Sequence, residues 1–228
     1  MALIIGKKER NDVQAIPYRS HPHVTESGRT YLSNGRERHP VKIFGSHNFQ
    51  NLNGAKEVLK KIGITDEQFY AAVATFEGAS GRLQKVGEEN SCAIYKDFAH
   101  APSKVKATVK AMKEIHPKRD LVACLELHTL SSLSKSFIPQ YKDTLKSAQV
   151  QLVYVNAEKV KAKKLEPLQE SDIRKAFAAP DLQVFSDVHQ LEDFLLKQSW
   201  KNKNLLMMSS GNFGGLDIDE LAEKILNQ

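Results

Sequence analysis

Hydrophobic and polar positions change rhythm twice along the 228 residues. Up to about residue 44, short β-favouring runs bounded by turn formers predict strands at residues 2–5, 13–16, 29–32 and 41–44, with Ser33, Asn34 and Gly35 as a turn. Over residues 49–62 the rhythm becomes helical. Leu52, Ala55, Val58, Leu59 and Ile62 recur at helical spacing, and Gly63 supplies the stop. A second helix follows at once. Thr65-Asp66-Glu67-Gln68 has the form of a capping box, and Phe69, Val73 and Phe76 are its expected buried stripe before Gly78 and Gly81 break the chain.

Beyond that joint, strands and helices alternate, which predicts an α/β domain with a mostly parallel sheet and helices on its faces. The expected strands are residues 91–95, 121–127, 151–155, 183–185 and 205–209. Val105, Val109, Met112 and Ile115 mark one intervening helix, and Leu221 and Ile225 mark the last, over residues 217–226. The domain division expected from this change of pattern is 1–79 and 80–228. In an open sheet of this kind ligands gather outside the carboxyl ends of the strands, so the residues that follow each strand deserve the closest reading. They are residues 97–102, 128–132, Asn156 and 209–215.

Composition agrees with a folded chain: 41% of residues are hydrophobic and 26% charged, which excludes intrinsic disorder and collagen-like repeats. No apolar run approaches the roughly 20 residues that span a bilayer, and residues 1–8 are too short for a signal-peptide core, so a cytoplasmic chain with no membrane partner is expected. Cys92 and Cys124 lie in apolar stretches without a partner at metal spacing and read as buried reduced thiols, and no metal site is expected. The net charge of +6 favours anionic partners. The one dense basic patch, over residues 159–164, has no interleaved aromatics, which points to a solvated face or phosphorylated small molecules and away from nucleic acid.

Three segments carry candidate chemistry. Gly45-Ser46-His47-Asn48-Phe49-Gln50-Asn51 enters a helix; Asn48 and Asn51 share a face, and an Asn amide offers adenine a donor and an acceptor together, unless Asn48 is simply a helix cap. Asp97-Phe98-Ala99-His100-Ala101-Pro102 follows a strand, where Asp97 can accept from both ribose hydroxyls or cap the next helix, and His100 can border the ligand or be a spectator. Residues 209–215 follow another strand, and the backbone around Ser209, Ser210, Asn212 and Phe213 can form an anion nest for a carboxylate or be a tight turn. Arg82, in the joint, can bring a guanidinium to phosphate oxygens. His128, Thr129, Ser131 and Ser132 can line the same edge. Gly-x-Gly-x-x-Gly and Gly-x-x-x-x-Gly-Lys-Ser/Thr are both absent from the sequence.

Taken in order, Gly45-Ser46-His47-Asn48-x-x-Asn51, Gly78-x-x-Gly81-Arg82-Leu83 and Asp97-Phe98-Ala99-His100-x-Pro102 resemble the Mur ligase family, from about Val41 to the C-terminus. Glu126-Leu127-His128-Thr129-x-Ser131-Ser132 is similar to the branch of murein tripeptide ligases and UDP-N-acetylmuramate–L-alanine ligases. Its lack of an arginine favours the murein-peptide side. The resemblance implies the C-terminal part of a central ATPase domain joined to a complete Rossmann-like domain. It also implies an ATP- and Mg2+-dependent ligase that joins L-alanine or a murein peptide to UDP-N-acetylmuramate through an acyl phosphate. By the same resemblance His47, Asn48, Asn51 and Asp97 bind the nucleotide, Arg82 and His100 are catalytic, and His128, Ser209, Ser210, Asn212 and Phe213 face the incoming amine. The phosphate loop is expected upstream of Met1, in a missing N-terminal part, so that this polypeptide alone does not turn over. The other class of reading is a non-catalytic nucleotide- or peptide-binding α/β module.

Overall fold

A computed structural model describes residues 19–26, 28–162 and 166–228, without the side chains of 157–159. The strands expected at residues 2–5 and 13–16, and Lys159, Lys163 and Lys164 of the basic patch, lie outside the described residues or side chains. The chain divides into two compact units, Met1–Glu77 and Gly78–Gln228. Among the described residues no helix is long and apolar enough to cross a membrane.

In the first unit β1 (His23–Glu26), β2 (Arg29–Ser33) and β3 (Arg38–Val41) form an antiparallel sheet in that order, followed by α1 (Ser46–Lys61) and α2 (Asp66–Thr75). The Ser33-Asn34-Gly35 turn forms as expected: Asn34 Oδ1 accepts the amides of Arg36 and Glu37, and Gly35 takes φ 91°. That turn shifts the expected strand 41–44. It sets the register at Ser33↔Arg38 and Thr30↔Val41, so β3 starts at Arg38 and runs out of partner at Val41.

The helices confirm the capping box and correct the stripes. Thr65 accepts the Gln68 amide while Gln68 Oε1 accepts that of Thr65. α1 buries Phe49, Leu52 and Lys56, whereas Val58 is 65% and Ile62 72% exposed. At about 100° per residue these two lie on the side opposite Phe49. Phe76 is also exposed, because the helix has ended at Thr75 and Phe76 takes an extended ψ of 119°. Leu32, Ile43, Phe49, Leu52, Phe69, Tyr70 and Val73 make the core.

The second unit is the expected α/β domain, with one more strand than the pattern predicts. Its elements are β4 (Gln84–Glu89), β5 (Cys92–Asp97), α3 (Pro102–Ile115), β6 (Asp120–Leu127), β7 (Val150–Val155), α4 (Ala157–Ala162), α5 (Glu170–Phe177), β8 (Gln183–Phe185), α6 (Val188–Leu196), β9 (Lys203–Met208) and α7 (Ile218–Leu226). The sheet order is β4-β5-β9-β6-β7-β8, parallel except for β4, which pairs antiparallel with β5. β4, Gln-Lys-Val-Gly-Glu-Glu, is a polar edge strand and therefore lacks the apolar run that marks its buried neighbours.

Central strands are apolar on both faces. Alternate residues of β5, β6, β7 and β9, among them Ile94, Val122, Cys124, Leu152 and Met207, pack against Leu191 and Leu195 of α6 and Leu221 and Ile225 of α7. Both cysteines are buried and free, and burial pushes the Cys92 thiol up to about 11.

Candidate functional site

Strand register decides which side chains meet. In the sheet Asp97 of β5 and Leu125 of β6 both stand beside Met208 of β9. The residues that follow, Phe98, Glu126 and Ser209, therefore emerge together at the carboxyl edge, the place where an open parallel sheet binds ligands. The amide of Ser209 donates to the Asp97 carbonyl at 3.0 Å, which extends the pairing one residue past the strands.

Asp97 is 7% exposed, and each carboxyl oxygen is already engaged. Oδ2 accepts the Leu83 amide at 2.5 Å and Oδ1 the Ala99 amide at 2.6 Å. Burial pushes its carboxyl above the usual range, and the Ala99 and Leu83 amides and the nearby Arg82 charge pull it back. Oδ1 also accepts the Thr108 hydroxyl at 3.5 Å, and Oδ2 can take a second hydrogen bond, so the group can accept a hydroxyl donor and still hold the joint. Asp97 does not cap α3; the cap is Ala101, with Pro102 in the first turn as expected.

Around Asp97 the structure stacks three side chains. The Arg82 guanidinium lies 4.9 Å from the ring centre of Phe98, and His100 meets the same ring edge-on at 5.5 Å. His100 Nδ1 donates to the Phe98 carbonyl at 3.0 Å, while Tyr141 Oη donates to the His100 carbonyl at 2.5 Å. Phe98 is 42% exposed, a large apolar ring at a ligand edge. The sequence reading passed it over; the signal available was an aromatic between a strand's last acid and a helix-opening Pro.

Glu126 is the second residue the sequence reading left unassigned. It is 1% exposed between Leu125 and Leu127. Its Oε2 accepts the Ser209 hydroxyl and, at 2.9 Å, the Phe213 amide. The expected anion nest of residues 209–215 thus receives a carboxyl group from the protein itself. Phe213 anchors the loop: its ring is 1% exposed and stacks on Tyr154 at 6.2 Å. Ser210 is half-buried and Asn212 exposed. His128 packs close to Gly211, where an added Cβ would come within 3.1 Å of the imidazole. Ser132 is buried, its Oγ tied to the amide and carbonyl of Thr129, so it closes a turn and does not line the edge.

In the first unit Gly45, at φ 90°, turns the chain into α1 and places His47, Asn48 and Asn51 in the first two turns, where backbone amides give a positive end. Asn48 is not the cap: its Nδ2 donates to the Phe44 carbonyl at 2.8 Å, which leaves Oδ1 as acceptor. Among the described residues no three His, Cys, Asp or Glu side chains group to hold a metal ion.

Known proteins resemble this chain in sequence and in fold. A UDP-N-acetylmuramate–L-alanine ligase of Agathobacter rectalis is 26% identical over 190 residues, which make 82% of this chain and 40% of that protein. Another, of Caldicellulosiruptor bescii, is 36% identical over 108 residues, 47% of this chain and 23% of that protein. The chain thus spans less than half the length of these curated relatives. In fold it is similar to a UDP-N-acetylmuramate–alanine ligase of Thermotoga maritima (TM-score 0.64, 15% identity, covering 90% of this chain and 44% of that one). It is also similar to a murein peptide ligase of Psychrobacter arcticus (TM-score 0.59, 22% identity, 90% and 43%). Residues 81–211, more than half of the chain and the stretch that holds Arg82, Asp97, Glu126 and Ser209, match the family described as Mur ligase, glutamate ligase domain, and the chain belongs to the Mur ligase family.

Proposed function

We propose that the complete protein containing these residues is an ATP-dependent, ADP-forming ligase of peptidoglycan precursors. It joins L-alanine or a murein peptide to a UDP-N-acetylmuramate carboxyl group. The relatives' names and the family match support the ligase class. In the reaction a muramyl carboxylate oxygen takes the γ-phosphoryl group of ATP and ADP leaves. The amine nitrogen then attacks the acyl carbon, the carbon–oxygen bond to phosphate breaks with its electron pair on phosphate, and the amine gives up a proton to leave the amide. In this reading residues 1–79 are the end of the ATPase domain and 80–228 the domain that carries the strand-end edge.

The observation that carries the reading is Asp97, a buried carboxyl fixed by the Leu83 and Ala99 amides at a strand end with acceptor capacity to spare. It accepts a ribose hydroxyl. Asn48 and Asn51, with His47 beside them, meet adenine, and Arg82 and His100, held against Phe98, approach the phosphates. His128, Ser210 and Asn212 face the amine. Mg2+ takes most of its oxygens from ATP phosphates and water. The described residues offer no cluster of His, Cys, Asp or Glu for it.

The test is turnover. The complete gene product is supplied with ATP, Mg2+, UDP-N-acetylmuramate, and either L-alanine or a murein peptide. ADP and phosphate released only when both the muramyl acceptor and the amine are present, with a new amide in the product, is the expected result. ATP bound without amide formation in any combination overturns the ligase reading in favour of a non-catalytic nucleotide-binding module.

A further inference from the structure

A carboxyl group buried between two leucines of a central strand is costly unless it is fully engaged, and Glu126 is held by one short loop. Its Oε2 accepts the Ser209 hydroxyl and the Phe213 amide, and Ser209 Oγ in turn accepts the Gly211 amide at 2.7 Å. Residues 209, 211 and 213 are thus all tied, directly or through one hydroxyl, to a single oxygen atom. Ser210 and Asn212 lie between those tethers.

The loop is drawn in tightly. A Cβ on Gly211 would sit 2.7 Å from Glu126 Oε2 and 3.1 Å from the His128 ring, so glycine alone fits without displacement. Phe213 takes a left-handed φ of 48°, an uncommon conformation for a non-glycine residue, and its ring is locked beside Tyr154. A Cβ on Gly214, at φ 69°, would meet Tyr154 Oη at 2.5 Å. One end of the loop is therefore fixed by Glu126 and the other by Tyr154, side chains of adjacent strands β6 and β7.

We infer that Glu126 is a positioning residue for the amine acceptor: by pulling 209, 211 and 213 inward it fixes the geometry in which Ser210 and Asn212 meet the incoming amine. The inference rests on the ligase reading and adds to it which residue sets acceptor affinity. Glu126 touches no reacting atom. Its effect falls on the KM of the amine and leaves the KM of ATP alone, because the Asp97 carboxyl is held by Leu83, Ala99 and Thr108, and the loop reaches only the Asp97 backbone carbonyl, through the Ser209 amide.

Two measurements on the complete gene product test this. Amide hydrogen exchange at Phe213 reads the clamp itself, and steady-state kinetics read its consequence. In Glu126→Leu, Phe213 exchange is expected to accelerate at least tenfold and the amine KM to rise tenfold or more, with the ATP KM within twofold. Glu126→Gln, whose side-chain carbonyl oxygen can take the place of Oε2 and accept both bonds, should recover most of both, and Ser209→Ala should give an intermediate case. Gly211→Ala should reproduce the split by pushing on the carboxyl. An amine KM unmoved while Phe213 loses protection overturns the inference, and so does a parallel rise of the amine and ATP KM values across the set. Should the wild-type protein form no amide, the ligase reading is what fails. In that case a Phe213 amide equally protected in Glu126→Leu and wild type refutes the clamp independently.

Discussion

The two units bury polar groups in opposite ways. In the first, side chains hold side chains: Lys56 Nζ donates to Tyr70 Oη and to Asp66 Oδ2, both at 2.9 Å, and His21 Nε2 lies 3.0 Å from the same Tyr70 oxygen. His21 Nδ1 donates to the Pro22 carbonyl, so Nε2 accepts the Tyr70 proton and the chain Lys56→Tyr70→His21→Pro22 runs in one direction. His39 stacks on Tyr70 at 3.9 Å. In the second unit two carboxyls, Asp97 and Glu126, accept mainly backbone amides. A side-chain chain joins α1 to α2 and is titratable along its length. Backbone amides bound to a carboxyl fix loops, as a binding edge requires.

The sharpest way to break this contrast is to remove an acceptor that backbone amides hold at their shortest distances. Asp97→Ala leaves the buried Leu83 and Ala99 amides without a partner, at about 1–3 kcal/mol each. The loss expected in urea unfolding, followed by Trp200, the chain's single tryptophan and a buried one, is about 2–6 kcal/mol. Asp97→Asn keeps one acceptor oxygen and should lose about half as much. A cost below about 1 kcal/mol for the alanine variant would mean that these amides find other partners and that Asp97 holds no loop.

Acid should weaken the first unit through its side-chain network, at His21. Burial, and after it Lys56 and His23, hold His21 below its usual imidazole value, although the Pro22 carbonyl and Asp66 partly offset them. Unfolded, His21 takes a proton near pH 6.5; folded, it refuses one until the pH is lower. Between those two values the unfolded state binds more protons, so the stability this group contributes is present above about pH 6.5 and is lost as pH falls toward the folded value. With one proton involved the slope cannot exceed about 1.4 kcal/mol per pH unit. Urea unfolding between pH 7.5 and 5, read from the methyl signals of Leu32 and Leu52, should show that slope, and His21→Gln should flatten it. An unchanged slope in the variant would place the titration on another group.

What the sequence made legible follows from how local each signal is. The Thr65 cap, the Asn34 turn and the buried run of β6 are written in neighbouring residues and were read correctly. The α/β class followed from alternating patterns. β4 was missed because an edge strand needs no apolar run, and the strand expected at residues 41–44 was misplaced because its register is set six residues earlier, by a turn. At the site, Asp97 and residues 209–215 could be placed by their position after strands. Glu126 could not be given a task, because its partners Ser209 and Phe213 lie more than eighty residues away and only sheet order brings them together.

The smallest expected effect tests the face of α1. Apolar spacing places Val58 and Ile62 inside, yet the buried face runs through Phe49, Leu52 and Lys56, a charged residue outside the expected stripe. The long Lys56 stem packs in the core while its ammonium reaches Asp66 and lies 4.4 Å from the Tyr70 ring centre, so the helix buries a lysine and exposes a valine. Val58→Lys should therefore change the unfolding free energy of the first unit by no more than about 0.5 kcal/mol, as surface substitutions do. Lysine also has the better helix propensity, which favours the variant by about 0.3 kcal/mol. A loss above about 2 kcal/mol, read from the same Leu32 and Leu52 signals, would put Val58 in a core and reverse the assignment of the two faces.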